Sequence, residues 1–347
     1  MSVTRISRRN MLTVGAAPLL QAQNAAREEP RLPPRAELVN VSEFEEAAKI
    51  KLAPAVYATI SRGDGEIFNR MTLWPRVFVD SAPLNLATEL FGETMFAPIL
   101  VGPISQQRRF HQQGELATVQ GAVAANATMI VSGDSSYPLE EISAAAKTTI
   151  WYQAYLNRNA SDVRKDIERG TKAGCRAICL TVGGPTAARS SQGASVPRPD
   201  WRLIDQVLQT GGVPVLLKGV MTPADAQTAV DRGLQGIVVS NGGLAGQPAP
   251  MEVLASVVDK VGARVPVLID GGFRRGTDVV KALALGAKAV LLGRPVMWGL
   301  AAYGADGVQS VLSMLQTELA RTMVNVGRPT IQSLDRSLVK IHRRASS

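Results

Sequence analysis

Two short glycine-rich segments near the C-terminus, Asp270-Gly271-Gly272-Phe273-Arg274 and Gly293-Arg294, have the composition of an anion cradle. Glycine lets a backbone approach an anion closely, and N–H groups at a helix N-terminus then donate to its oxygens. The Arg294 guanidinium adds a planar fork that matches phosphate. Lys218 is the third candidate. It closes an otherwise apolar run, PVLLKGV, and a lysine buried there is costly unless it meets an anion. Lysines so placed also form Schiff bases. The readings without chemistry are glycine turns beside solvated arginines, and a lysine whose amine reaches water.

These groups need strands to carry them, and the strands are visible as short apolar runs. They are 98–103, 129–133, 149–155, 177–182, 214–220, 236–241, 265–272 and 289–295. Each is continuously apolar, as expected of a strand covered on both faces. Amphipathic stretches such as GELATVQGAVAANA and GTDVVKALALGA lie between them, and Ser161, Thr222 and Thr277 stand where helix N-caps belong. Eight strand–helix units predict an α/β fold, a closed (β/α)8 TIM barrel. The alternative, an open doubly wound sheet, is disfavoured because the first strand lacks a GxGxxG turn. Residues 40–97 predict an N-terminal helical cap with a short hairpin over one end of the barrel. Gly307 to Val326 reads as the eighth helix.

Barrel chemistry sits at the C-terminal strand ends. Those ends supply Gly102-Pro103, Ser132, Gln153 with Tyr155, Thr181, Lys218, Ser240-Asn241, Asp270 and Arg294. A purely structural barrel has no use for such a polar ring.

The 347 residues suit one large barrel, and a chain 46% hydrophobic but only 5% aromatic must fill its core with Val, Leu, Ile and Ala. The formal net charge is +9, but the basic residues are scattered rather than striped and no nucleic-acid motif is present. Attraction of anionic cofactors and substrates is the better reading of the charge. Cys175 and Cys179 sit four apart at a helix–strand junction, where a disulfide would distort the strand, so two buried thiols are expected. With His111 and His342 the only histidines, no metal site is expected.

The chain opens with Ser7-Arg8-Arg9-Asn10-Met11-Leu12, an apolar run to Leu20 and small residues. This is the pattern of a signal peptide, and the paired arginines match a twin-arginine export signal. The run is well short of the ~20 residues that span a bilayer, so no integral membrane span is expected. Residues 1–26 are read as the signal, 27–37 as a linker and 38–347 as the barrel, with delivery to the periplasm. The alternative is a cytoplasmic protein with a basic N-terminus.

The segment DGGFRRGTDVVKALALGAKAVLLGRPVMWGLAAYG resembles the C-terminal signature of the FMN-dependent α-hydroxy-acid oxidases and dehydrogenases. The likeness extends through VNVSEFEEAAKIKLAP, GELATVQGA, YQAYLNR, PVLLKGV and IVVSN, covering about residues 38 to 341. The resemblance implies FMN as cofactor, a small 2-hydroxy acid as substrate and a homotetramer. It implies that Pro103, Ile104 and Ser105 line the flavin by backbone, and that Ser132, Gln153 and Thr181 bond its ring edge. Lys218 and Ser240 would hold the N1, O2 and ribityl side. Asp270, Gly271, Gly272, Phe273 and Arg274, with Gly293 and Arg294, would hold ribityl and phosphate. Lysine near the N1–C2=O edge stabilises an anionic reduced ring.

The substrate side departs from the family pattern. Gly242 stands where the family has its His base and Ala245 where an Arg pairs the carboxylate; Thr59 and Ser190 replace a Tyr and a second Arg, though Arg189 precedes Ser190. Only nineteen residues separate Thr181 from Trp201, which shortens the family's substrate lid. Tyr155 alone stays in register, as a flavin neighbour and the remaining candidate for a catalytic role. Neither His111 nor His342 is placed to replace the base, and Asp134 and Tyr155 are better placed. Three readings stay open: an FMN oxidoreductase acting on CH–OH groups of an atypical substrate, an inactive flavin-binding pseudoenzyme or scaffold, and another FMN barrel such as an isomerase.

Overall fold

A computed structural model describes residues 31–61, 65–80, 83–156, 159–182, 200–208, 212–243 and 246–342. Eight parallel strands close into a barrel in chain order: β1 Ile99–Val101, β2 Met129–Ser132, β3 Ile150–Tyr155, β4 Ile178–Thr181, β5 Val215–Val220, β6 Gly236–Val239, β7 Val267–Asp270 and β8 Ala289–Leu292. Pairing of β8 with β1, Val290 opposite Ile99, completes the circle. Each strand falls inside one of the eight apolar runs. The helices that follow them are α1 Gly114–Ala124, α2 Leu139–Ala145, α3 Ala160–Lys172, α4 Trp201–Leu208, α5 Pro223–Asp231, α6 Pro250–Val261, α7 Gly276–Ala284 and α8 Arg294–Asn325.

The strands are apolar throughout because alternate residues face opposite ways and both ways are dry. Leu100, Ile130, Trp151, Cys179, Leu216, Val238, Leu268 and Leu291 form one inner cluster. Their neighbours, such as Ile99, Val131, Tyr152 and Ile269, pack outward in the larger core shared with the helices. A hairpin of Thr88–Leu90 and Glu93–Met95 closes the N-terminal end, its Leu90 and Met95 joining the inner cluster. At its turn the Phe91 ring lies 5.6 Å from Trp151, edge to face.

The predicted N-terminal cap therefore divides. The hairpin plugs the barrel floor, whereas the helix Val41–Lys51 lies along α8, with Phe44 edge-to-face on Tyr303 at 5.9 Å. Trp298 Nε1 donates to the Ile60 carbonyl at 3.1 Å, anchoring the next segment on α8. Met71–Leu73 pairs antiparallel with Val339–Ile341, joining the two ends of the barrel region.

Local capping departs from expectation in two places. Asn159 caps α3, accepting from Asp162 N, so Ser161 lies inside the helix. Arg275 is the N-cap of α7, which puts Thr277 in its first turn. Thr222 does cap α5. The eighth helix begins at Arg294 rather than Gly307, because it holds a break at Tyr303–Gly304, where Gly304 has φ 60°. The expected helix is its second half. Across the break Gly299 and Gly307 touch backbone to backbone: a Cβ on Gly307 would sit 2.0 Å from the Gly299 oxygen.

Both cysteines are free and buried, as expected, and burial pushes their thiols up to about 12. Gly307→Ala should destabilise the protein by roughly 1–3 kcal/mol through overpacking. Urea unfolding checks this, and an unchanged midpoint would contradict the contact.

Candidate active site at the barrel mouth

One step above the apolar inner cluster, each strand presents its next inward position. Ile130 is followed by Ser132, Trp151 by Gln153, Cys179 by Thr181, Leu216 by Lys218, Val238 by Ser240 and Leu268 by Asp270. On β1 and β8 the corresponding residues are Gly102 and Gly293. Strand periodicity thus turns the apolar floor into a polar ring with two gaps where backbone is bare.

Lys218 is 7% exposed, with Nζ 2.6 Å from Asp270 Oδ2 and 2.9 Å from Ser240 Oγ. Burial pushes its ammonium down, but the Asp270 carboxylate more than reverses this, so its pKa lies above the ordinary lysine value. Gln153 Nε2 donates to Thr181 Oγ1 at 2.7 Å, while Gln153 Oε1 is buried with no hydrogen-bond partner among the described residues. Such an acceptor costs about 1–3 kcal/mol until a donor meets it. Tyr155 OH lies 3.1 Å from Ser105 Oγ and 3.4 Å from Ser132 Oγ, and those hydroxyls are 3.3 Å apart.

A cavity of about 90 Å³ opens beside the ring, lined by Gly102, Pro103, Asp270 to Arg274, Leu291 and Leu292, and Gly293 to Pro295. Gly271 and Gly272 take φ 105° and 83°, which only glycine adopts without strain. The N-terminus of α8 opens onto the cavity; Gly293 is its N-cap and supplies no side-chain cap, so the positive end of the helix dipole faces it. Asp278 fixes the loop, accepting from Arg274 N and Arg275 N at 3.1 and 3.0 Å. The Arg274 guanidinium stacks on Trp298 at 5.1 Å. The Phe273 ring turns away into the core against Phe68, so this residue offers the cavity chiefly backbone. Ile104 lies across from Gly293.

The loop after β6 is tied by its own polar groups. Ser240 Oγ accepts from Gly242 N at 3.1 Å, Asn241 Oδ1 from Gly243 N at 2.9 Å, and Asn241 Nδ2 donates to the Pro248 carbonyl at 3.2 Å. Gly242, at φ 64°, brings no side chain to the mouth. Arg189, Ser190 and Ala245 lie outside the described residues. Thr59 Oγ1 donates to the Val56 carbonyl, a local bond at the end of its helix. His111 packs in the α8 break, and its pKa is lowered by burial and then by Lys51. His342 bonds Thr72 on the terminal strand pair. Both histidines are therefore spent elsewhere.

Two groups escaped the sequence reading. Glu45 lies near Arg274 and Arg294 and bonds Tyr57; burial raises its pKa although the arginines oppose this. Glu115 is fully buried, with Oε1 accepting from Gln107 N and Ser136 N. A carboxylate inside the apolar GELATV stretch was the available signal.

The fold and mouth define a (β/α)8 barrel that binds a phosphorylated cofactor. Comparison with known proteins narrows this: the model of the FMN-dependent dehydrogenase family matches residues 58–195 and 186–341. The chain is 38% identical to a peroxisomal (S)-2-hydroxyacid oxidase of Arabidopsis thaliana, covering 88% of this chain and 97% of that protein. It is 33% identical to an L-lactate oxidase of Nostoc, covering 87% and 98%. A crystal structure of mandelate oxidase superposes with TM-score 0.83 at 32% identity, covering 88% and 99%. The chain belongs to the FMN-dependent dehydrogenase family, and FMN is its cofactor. Hydroxy acids are the substrates that fit this family. Among the described residues no helix is long and apolar enough to cross a membrane.

The residues present suit FMN. The orphaned Gln153 acceptor matches a ring N–H, the Lys218 ammonium an electron-rich ring edge, and the glycine cavity a phosphate. Lys218→Met should abolish tight FMN binding and cost roughly 3 kcal/mol by stranding Asp270. Adding Asp270→Asn should restore stability but not binding, as read by urea unfolding and flavin fluorescence. Because the folded Lys218 value is raised, its contribution is complete below about pH 10.4 and fades only as pH climbs through the higher folded value. FMN retention should therefore show no Lys218-dependent change across the neutral range.

Proposed function

We propose that this protein is an FMN-dependent oxidoreductase acting on CH–OH groups of a substrate that differs from the family's usual acids. The observation that carries this reading is the Lys218–Asp270–Ser240 cluster and its glycine-lined cavity beside Gly242, a residue with no side chain where the family resemblance expects a base. In this reading Pro103, Ile104 and Ser105 line the ring, and Ser132, Gln153 and Thr181 bond its edge. Lys218 and Ser240 hold the N1 and ribityl side, while Asp270 to Arg274, Gly293 and Arg294 hold ribityl and phosphate. Bound FMN supplies a two-electron acceptor for the hydrogen leaving the carbinol carbon. Lys218 holds positive charge at the ring edge where negative charge develops.

Tyr155 is the proposed catalytic residue. Its hydroxyl, bracketed by Ser105 and Ser132, would hold the substrate oxygen by a hydrogen bond. With no imidazole at position 242, the leaving proton would pass to solvent, directly or relayed through a neighbouring hydroxyl, which lowers the rate by ~10²–10⁴ relative to a positioned base. The same feature supports a second reading, a flavin-binding pseudoenzyme. We further propose that residues 1–26 direct twin-arginine export to the periplasm, that 27–37 is a linker before a barrel of 38–347, and that the barrel assembles as a homotetramer.

An absorbance spectrum of the purified protein, followed by anaerobic addition of L-lactate, glycolate and a panel of other small alcohols, tests the main reading. Bleaching of the flavin by at least one alcohol is expected, and Tyr155→Phe should slow it ~10²-fold. Flavin that stays oxidised with every donor overturns this reading and favours the pseudoenzyme.

A further inference from the structure

The rim between β1 and β2 carries a charge that the cofactor cradle does not use. Asp134 lies two residues beyond Ser132, whose hydroxyl accepts from Asp134 N at 3.2 Å and sits 3.4 Å from Tyr155 OH. The Asp134 carboxylate accepts from Gln106 Nε2 at 2.8 Å. Gln106 directly follows Ser105, the other neighbour of Tyr155.

This carboxylate is held by built structure. Gln106 N donates to the Asp134 carbonyl at 2.9 Å and Arg108 N to Ser136 Oγ at 3.1 Å. Beneath them the buried Glu115 Oε1 accepts from Gln107 N at 3.0 Å and Ser136 N at 2.9 Å, clamping the two loops together. The half-buried acid is therefore held at a fixed place on the rim, its backbone N–H on the Ser132 hydroxyl and its carboxylate on Gln106.

Four nearby cations each lie against a group other than Asp134. Arg108 lies over the Tyr137 ring at 5.5 Å and Arg109 over Phe110 at 5.4 Å. Lys218 faces Asp270, and Arg274 stacks on Trp298. Asp134 has no ion-pair partner among the described residues. A carboxylate bound above the ring would meet a like charge, and like-charge juxtaposition is strongly unfavourable. An amide N–H, a hydroxyl or an ammonium would instead find a fixed acceptor.

We infer that the mouth selects an alcohol whose far end is a neutral or cationic hydrogen-bond donor, and that Asp134, set by Gln106, is the selecting residue. The inference rests on the flavin-dependent alcohol oxidation proposed above.

Its test separates binding from turnover. FMN-loaded protein is titrated with propionate, propionamide and propylamine, none of which has a hydroxyl to oxidise, and the shift in flavin absorbance is followed. Propionamide and propylamine should bind at least ~10-fold more tightly than propionate. Asp134→Asn should bring propionate and propylamine to within ~2-fold of each other. Asp134→Ser serves the same purpose if the asparagine variant fails to hold FMN. Propionate binding as tightly as the amide in the unaltered protein, or an unchanged order in both variants, overturns the inference. The matched alcohols L-lactate, lactamide and 1-amino-2-propanol are then added anaerobically. Faster bleaching by the last two supports both proposals. The predicted binding order with no bleaching by any of them supports the selectivity and overturns the oxidation reading.

Discussion

A side chain that points into a closed barrel is surrounded by seven other strands, so its polarity must be answered within its own layer. That constraint organises this molecule. The lower layer answers it with aliphatic residues, Trp151 and the hairpin plug. The upper layer places Lys218 between Asp270 and Ser240 and pairs Gln153 with Thr181. An unanswered ammonium there would be driven to lose its proton; with Asp270 at 2.6 Å it keeps it. A charge held in that way is preorganised, since no solvent must rearrange when charge develops above it.

The loops above the strands are fixed by the same economy of buried groups. Asp278 gathers two N–H groups of the loop after β7, and Glu115 gathers one from each of the loops after β1 and β2. Neither carboxylate lines the cavity; Asp278 fixes the Arg274 backbone that does, and Glu115 fixes the loops that carry Ser105 and Asp134 beside it. The α8 break has a similar role. It lets a helix begin at Arg294, directly at the cavity, and then turn to pack along the barrel wall.

Much of this was legible in the sequence because parallel-barrel strands are continuous apolar runs and their ends are where polarity returns. All eight strands and the polar ring followed from that one contrast. Helix starts were less legible: Asn159 and Ser161 are both capable caps, and only backbone geometry chooses between them. The early start of α8 was hidden because LGRPVMWGLAA is too apolar to show a helical face and its glycines suggest a stop. The division of the N-terminal cap into floor plug and mouth-side helix is tertiary information, since hairpin and helix have no local preference for either end. Gly242 was readable as a position without a side chain, but only the fold shows the loop closing on Ser240 and Asn241.

The floor hairpin has a consequence for traffic. With Leu90, Met95 and Phe91 sealing one end, the described residues leave small molecules the opposite end of the barrel as their doorway. A flavin nucleotide held by the innermost polar layer would have to enter before a substrate and leave after it. A substrate or product held nearer the opening would then slow the escape of the yellow group without touching its phosphate.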